Sequence, residues 1–180
     1  MLMNNDKIIP VALRTIELET NAVSGLKAFI NDDFVKAIKQ IAVSNGRLIV
    51  SGIGKSAVIA QKIVATLNST GTPSIFMHAA DAIHGDLGMI QEADIVLVIS
   101  KSGDSPEIKI LAPLVKNFGN PLIGMVGNVQ SFLAQNSDII LNTTVEQEAC
   151  PNNLAPTSST TAQMVMGDAL AVCLMELKGF

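Results

Sequence analysis

The sequence predicts an α/β fold, a three-layer α/β/α domain built on a five-stranded parallel sheet. Two observations carry that prediction. Short apolar runs rich in β-branched residues recur along the chain, the clearest being Ile95 to Ile99, and this is the pattern of strands buried on both faces. Segments with helical periodicity alternate with them, and strands alternating with helices imply a parallel sheet covered on both sides. The length of 180 residues suits one domain with a sizeable core, and 48% hydrophobic against 16% charged residues excludes a disordered chain.

From Val11 to Gln40 the pattern is helical, with a break and a new N-cap at Asn31-Asp32-Asp33. Arg47 to Val50 is the first strand, ending in Ser51-Gly52-Ile53-Gly54-Lys55-Ser56. A helix follows through Ile59, Ile63, Val64 and Leu67 to a stop near Gly71. Ser74 to Met77 is the second strand, and Ala80 to Leu87 a short helix or ordered loop. Ile95 to Ile99 is the third strand. Its helix starts with Pro106, whose missing N–H costs nothing in a first turn, and runs to about Asn117 with a kink predicted at Pro113. Leu122 to Val126 and Ile139 to Leu141 are the fourth and fifth strands, with a short helix from Val129 to Ala134 between them. Thr144 to Pro156 is loop, and Ser159 to Leu177 is a last helix, apolar nearly all round. With no internal repeat or linker, residues 1–180 read as one domain.

The net charge of −4 gives no general pull towards nucleic acid or anionic membrane. No apolar run approaches the roughly 18 residues of a spanning helix, and Met1 to Lys7 has no signal-peptide layout. Cys150 and Cys173 are too few for a disulfide framework, so a reduced, cytoplasmic protein is expected. The two histidines and two cysteines lie too far apart for metal-ligand spacing. A helix apolar on every face must be covered on all sides, which predicts a homo-oligomer with the last or first helix at an interface.

Ser100, Ser102, Gly103, Asp104 and Ser105 form a polar turn at the carboxyl end of the third strand, with Ser105 at an N-cap position and Glu107 in the positive first turn. Hydroxyls and free amides meeting at a helix N-terminus form an anion site, phosphate being the obvious anion. The alternative is an ordinary capped turn that binds nothing. Gly52, Gly54 and Ala57 match the loose dinucleotide fingerprint, but Met77 and His78 stand where an acidic ribose ligand belongs. A P-loop would need glycine at Ile49. What remains is a turn presenting Lys55 and Ser56 on the same edge as Ser100 to Ser105. Glu148, and Thr157 to Thr160 leading into the last helix, leave the last strand on that edge too, although a loop carboxylate is usually a solvated charge and these hydroxyls also suit a helix cap. His84 is a further candidate, whereas His78, ending a strand, reads as structural.

Seven segments of the chain resemble the sugar-isomerase (SIS) domain of arabinose-5-phosphate isomerases. They are Gly52-Ile53-Gly54-Lys55-Ser56, Ser69-Thr70-Gly71-Thr72-Pro73, His84-Gly85-Asp86-Leu87-Gly88-Met89, Ser100-Lys101-Ser102-Gly103, Ser105-Pro106-Glu107-Ile108, Glu148-Ala149-Cys150-Pro151 and Leu154-Ala155-Pro156-Thr157-Ser158-Ser159-Thr160. The similarity runs from about Leu26 to Phe180. It implies a flavodoxin-like sheet, a homotetramer, and interconversion of D-ribulose 5-phosphate and D-arabinose 5-phosphate for Kdo, a component of lipopolysaccharide or capsule. The family's phosphate loop falls on Ser100, Ser102, Gly103 and Ser105, its catalytic lysine on Lys55, and its carboxylates on Glu107 and Glu148. Family members carry a further histidine in a His-Pro-Gly-Gly segment beyond the last helix, and many carry paired CBS domains. The sequence to Phe180 has neither, which reads as a piece cut to the SIS domain or a naturally short relative.

Moving a proton between C1 and C2 through an enediol needs a carboxylate base and a donor for the developing oxyanion. Glu148 is the expected base and Lys55 the polarising cation. Glu107 would orient hydroxyls or share the proton traffic, and His84 would assist ring opening; the two glutamate roles are interchangeable at this level. Gly54, Ser56, Ser100, Ser102, Gly103, Ser105, Thr157 and Ser158 are the expected substrate and phosphate contacts, with no cofactor and no metal. A 3-hexulose-6-phosphate isomerase and a non-catalytic sugar-phosphate sensor are the alternatives.

Overall fold

The computed structural model describes residues 5–180, so most of the Met1 to Lys7 stretch lies outside it. Five strands, β1 (Leu48–Gly52), β2 (Ser74–His78), β3 (Ile95–Ser100), β4 (Leu122–Val126) and β5 (Ile139–Asn142), form one sheet in the order β2-β1-β3-β4-β5. Every pairing is parallel, with Gly52 opposite Ile99 and Ser100 opposite Val126. The helices are α1 (Asn5–Gly25), α2 (Asp32–Val43), α3 (Lys55–Ser69), α4 (Ala79–Ala82), α5 (Pro106–Asn117), α6 (Phe132–Asn136) and α7 (Ser158–Lys178).

Alternation along each strand divides the core into two layers. Leu48 and Val50 of β1, with Ile95, Leu97 and Ile99 of β3, pack under α2, α3 and α7. Ile49, Val96 and Val98 face α4, α5 and α6. The central strands are buried along their whole length, as their unbroken apolar runs imply.

Three boundaries differ from the sequence reading. The first helix stops earlier, α1 ending at Gly25 with a 3₁₀ turn over Leu26–Phe29, while α2 starts after the expected cap Asn31, whose Oδ1 accepts the amides of Asp33 and Phe34 at 3.0 and 3.3 Å. The short helix expected over Val129 to Ala134 begins instead at Phe132. Asn128 forms a side-chain turn by accepting the amide of Gln130, and Ser131 Oγ caps α6 through the amide of Ala134. Ala80 to Leu87 resolves into the single turn of α4 and a 3₁₀ turn over Asp86–Met89. Helix α5 reaches Asn117 with Pro113 inside it.

The amino edge is tied by one buried carboxylate. Asp94, fully buried just before β3, accepts from the amide of Arg47 at 2.8 Å, the amide of Gln91 at 2.8 Å and Arg47 Nη2 at 2.6 Å. Arg47 Nη2 also donates to the carbonyl of Met89.

Candidate functional site

The order β2-β1-β3-β4-β5 sends the chain from β1 towards one side of the sheet and from β3 towards the other. The turns after these neighbouring strands therefore part, and a crevice opens at their carboxyl ends. A cavity of about 270 Å³ fills it, lined by Ile53, Lys55, Ser56, Ser100, Lys101, Ser102, Ser105, Pro156, Ser159, Thr160 and Gln163.

Three segments build the walls. After β1, Gly54 takes φ +57°, a backbone state that side chains disfavour, and so turns the chain into α3 at Lys55. Lys55 is exposed and makes no hydrogen bond or ion pair among the described residues. Ser56 Oγ donates to Gln163 Oε1 at 3.2 Å, joining α3 to α7.

After β3, Ser100 Oγ accepts the amide of Gly103 at 3.0 Å, and Ser102 Oγ accepts that of Asp104 at 3.3 Å. Both hydroxyls keep their own protons for an outside acceptor. Ser105 stands at the N-cap of α5 without capping it, and its buried Oγ has no partner. Gly103 cannot carry a side chain, because a Cβ there would lie 2.1 Å from Ser131 Oγ and φ is +67°. Its amide and carbonyl shape the turn, the carbonyl accepting from the amide of Leu133.

The loop after β5 supplies Pro156 to the wall and, behind it, Glu148, which is 2% exposed and does not itself line the cavity. Glu148 Oε2 accepts from the amide of Thr157 at 2.8 Å, the Thr157 hydroxyl at 3.2 Å and the amide of Ser159 at 3.1 Å. Oε1 accepts from the Ser159 hydroxyl and pairs with Lys101 Nζ at 2.7 Å. Thr157 makes no side-chain cap at the start of α7, so Glu148 closes that helix N-terminus in its place. Burial pushes its carboxyl pKa up. The Lys101 ammonium, the Ser159 hydroxyl and the two amides outweigh that, bringing it from the ordinary 4.5 down to about 2. The loop is further fixed by Asn153 Oδ1, which accepts the Glu148 amide at 2.6 Å. Cys150 Sγ accepts the amides of Ala155 and Leu154, which draw its thiol pKa down.

The structure thus brings Lys55, Ser56, Ser100, Ser102 and Ser105 to one cavity, with the turns at Gly54 and Gly103 beside them. Thr157 is engaged with Glu148, and Ser158 is wholly buried with an unpartnered Oγ, so Ser159 and Thr160 line the cavity instead. Glu107, half-buried at the second position of α5, does not line it and makes no hydrogen bond or ion pair among the described residues. His84 is exposed between α4 and the following 3₁₀ turn and does not line it either. Sequence reasoning names Ser159 and Thr160 only within the Thr157 to Thr160 run, and misses Lys101 and Gln163. The only signal for Lys101 is its seat between two turn serines.

No group of three or more His, Cys, Asp or Glu among the described residues is arranged to hold a metal ion. A second cleft, of about 210 Å³ between α1 and the loop after β5, contains Glu146 but no cation. Among the described residues, the switch-point cavity joins cations, free hydroxyl donors and a helix N-terminus, the set that binds an anion and stabilises charge developing beside it.

The sequence pattern described as SIS domain matches residues 40–173. An arabinose 5-phosphate isomerase, KdsD of Pseudomonas aeruginosa, is 52% identical over 179 residues, covering 99% of this chain and 55% of that relative. KdsD of Francisella tularensis is 47% identical over 172 residues, covering 94% and 53%. The chain therefore spans about half the length of these curated relatives. The solved structure of E. coli CFT073 c3406 in complex with arabinose 5-phosphate superposes with a TM-score of 0.94 at 40% identity, covering 99% of this chain and 95% of that one.

Proposed function

The chain belongs to the SIS-domain family, and from that premise we propose that it binds a sugar phosphate at the switch-point cavity and interconverts D-ribulose 5-phosphate and D-arabinose 5-phosphate. One observation carries the reading: the unpartnered Ser105 hydroxyl, the donor hydroxyls of Ser100 and Ser102 and the free ammonium of Lys55 converge on one cavity at the start of α5. The phosphate takes the serines and the amides of the α5 first turn. Lys55 faces the carbonyl end and stabilises the enediolate oxygen, while a carboxylate, Glu148 in the first instance, takes the C1 proton and returns it at C2. The relatives named KdsD and the solved complex with arabinose 5-phosphate support the choice of sugar. Supply of a precursor for Kdo, action in the cytoplasm and a homotetrameric assembly belong to the same reading. Among the described residues no helix is long and apolar enough to cross a membrane. Ile9, Leu13 and Ile16, exposed along one side of α1, are apolar surface that an assembly would cover.

The test is deuterium incorporation. In heavy water the protein is expected to exchange the C1 hydrogen of ribulose 5-phosphate and to accumulate arabinose 5-phosphate, both read by NMR. A specific observation favours a second reading, a non-catalytic sugar-phosphate sensor: both oxygens of Glu148 are occupied, and Glu107 and His84 do not line the cavity. Binding without exchange at either carbon would establish the sensor and remove the isomerase.

The phosphate seat has its own test. The pair Ser102→Ala and Ser105→Ala is expected to weaken ribulose 5-phosphate binding by a few kcal/mol, since hydrogen bonds to a charged group are worth about 1.5–3 kcal/mol each. The fold survives, because the turn is held by Ser100 and Gly103. Unchanged affinity by calorimetry would put the phosphate elsewhere.

A further inference from the structure

Glu148 has five donors on two oxygens, and they are not alike. Four come from Thr157 and Ser159 at the start of α7, two of them backbone amides. The fifth, Lys101, reaches in from the β3–α5 turn with a side chain 45% exposed. Its root is nevertheless fixed. The Lys101 carbonyl accepts the amide of Gly127 at 3.1 Å, and a Cβ on Gly127 would meet that carbonyl oxygen at 2.9 Å and the Lys101 Cγ at 3.2 Å. Glycine at 127 thus lets the lysine stem lie flat on the β4 end, aimed at Glu148. Lys101 also lines the cavity beside Ser100 and Ser102. A carboxylate with every lone pair engaged is a weak base; the two α7 amides cannot leave it without unwinding the helix, whereas the lysine, its one cationic partner, can.

Resting on the isomerase reading above, we propose that Lys101 is a positioning residue that holds Glu148 inactive in the empty cavity and releases it when the sugar phosphate enters. The anionic substrate draws the ammonium away from Glu148 Oε1 and towards the cavity. The carboxylate keeps its orientation from the α7 amides and becomes the stronger base. The charged groups around Glu148 are few. Lys101 comes from the β3–α5 turn and Cys150 from the same loop as Glu148. The first turn of α7 brings amides and hydroxyls with no acidic residue. Lys55 of α3 lines the cavity but makes no ion pair with Glu148.

The consequence is a difference between two pH profiles, one for the free enzyme and one for the complex. The acid limb of kcat/KM reports Glu148 with Lys101 attached, and the acid limb of kcat reports it released. In the wild type the kcat limb is expected at the higher pH. In Lys101→Met the kcat/KM limb rises by about 1–3 pH units, the effect of losing an opposite charge within about 4–6 Å, and the two limbs merge. Lys101→Arg, which keeps the charge, restores a low kcat/KM limb. A lysine that merely supported the turn would move neither limb.

The second arm needs no turnover: the carboxyl ¹³C shift of Glu148, titrated in ligand-free protein. Its midpoint is expected to rise in Lys101→Met and to stay low in Lys101→Arg. Coincident limbs in the wild type, or a Glu148 midpoint that does not move in Lys101→Met, would overturn the proposal. A wild type that binds ribulose 5-phosphate without turnover would instead remove the isomerase reading, and the carbon titration would still report whether Lys101 governs Glu148.

Discussion

Glu148→Gln is expected to lower ribulose 5-phosphate turnover by about 10²-fold or more, the range for loss of a general base, with little change in sugar-phosphate affinity. A loss confined to the transition state marks a group acting in the chemical step. The geometry explains why the variant remains a fair comparison. The glutamine carbonyl can take the place of Oε2 and still accept the amides of Thr157 and Ser159, so α7 keeps its cap. The NH₂ then occupies the place of Oε1. There the Ser159 hydroxyl can turn to accept, but Lys101 meets a donor and must leave. Glu148→Ala would strip the cap as well and confound fold with chemistry. Deuterium exchange at C1, followed by NMR, is the measurement. Exchange at the wild-type rate in the glutamine variant would clear Glu148 and turn attention to Glu107, the half-buried and unpaired carboxylate of α5.

Asp94→Ala is expected to cost about 3–5 kcal/mol of stability, the usual result of removing one partner from a buried ion pair. Against a typical total of about 5–15 kcal/mol this is a large share. The loss strands Arg47 and leaves the amides of Gln91 and Arg47 without their acceptor. Urea unfolding reads it as a lower midpoint, and an unchanged midpoint would show that the pair is dispensable. Burial pushes the Asp94 carboxyl up, but the Arg47 guanidinium and the amides of Gln91 and Arg47 hold it below its usual range. A carboxyl whose folded pKa is depressed contributes stability above its unfolded value and loses it as pH falls through the folded one. Glu148, lowered from 4.5 to about 2, acts in the same sense. Acid unfolding of the wild type should therefore steepen below the ordinary carboxylate range, and Asp94→Asn should flatten that slope.

The strands and the helix alternation were legible because burial on both faces leaves apolar runs that polar turns interrupt. Ile95 to Ile99 and Leu122 to Val126 needed nothing more. Short elements governed by single side chains were not: α6 begins where Ser131 caps it, a choice invisible to hydrophobic spacing. The site divided in the same way. Ser100, Ser102, Ser105 and Lys55 were readable as polar groups at the ends of predicted strands. Glu148 read as a loop carboxylate, yet it is buried, because its partners come from residues eleven or fewer positions later and from a turn far earlier in the chain. Lys101 stood unremarked between two turn serines, and Gln163 unremarked in an apolar helix. Tertiary pairing gives these residues their roles, and a single sequence carries no mark of it.

The two carboxylate pairs occupy opposite ends of the central strands. Arg47–Asp94 stands where β1 and β3 begin, Lys101–Glu148 where they finish. Five or six residues separate them, about 16–20 Å at roughly 3.3 Å per residue. At such range energetic effects add with little cross-talk, usually within about 0.3–0.5 kcal/mol. One rim of the sheet can thus drift, or be engineered for robustness, while the other is tuned for substrate. A variant weakened by changes around the cavity has an independent place in which to recover what it lost.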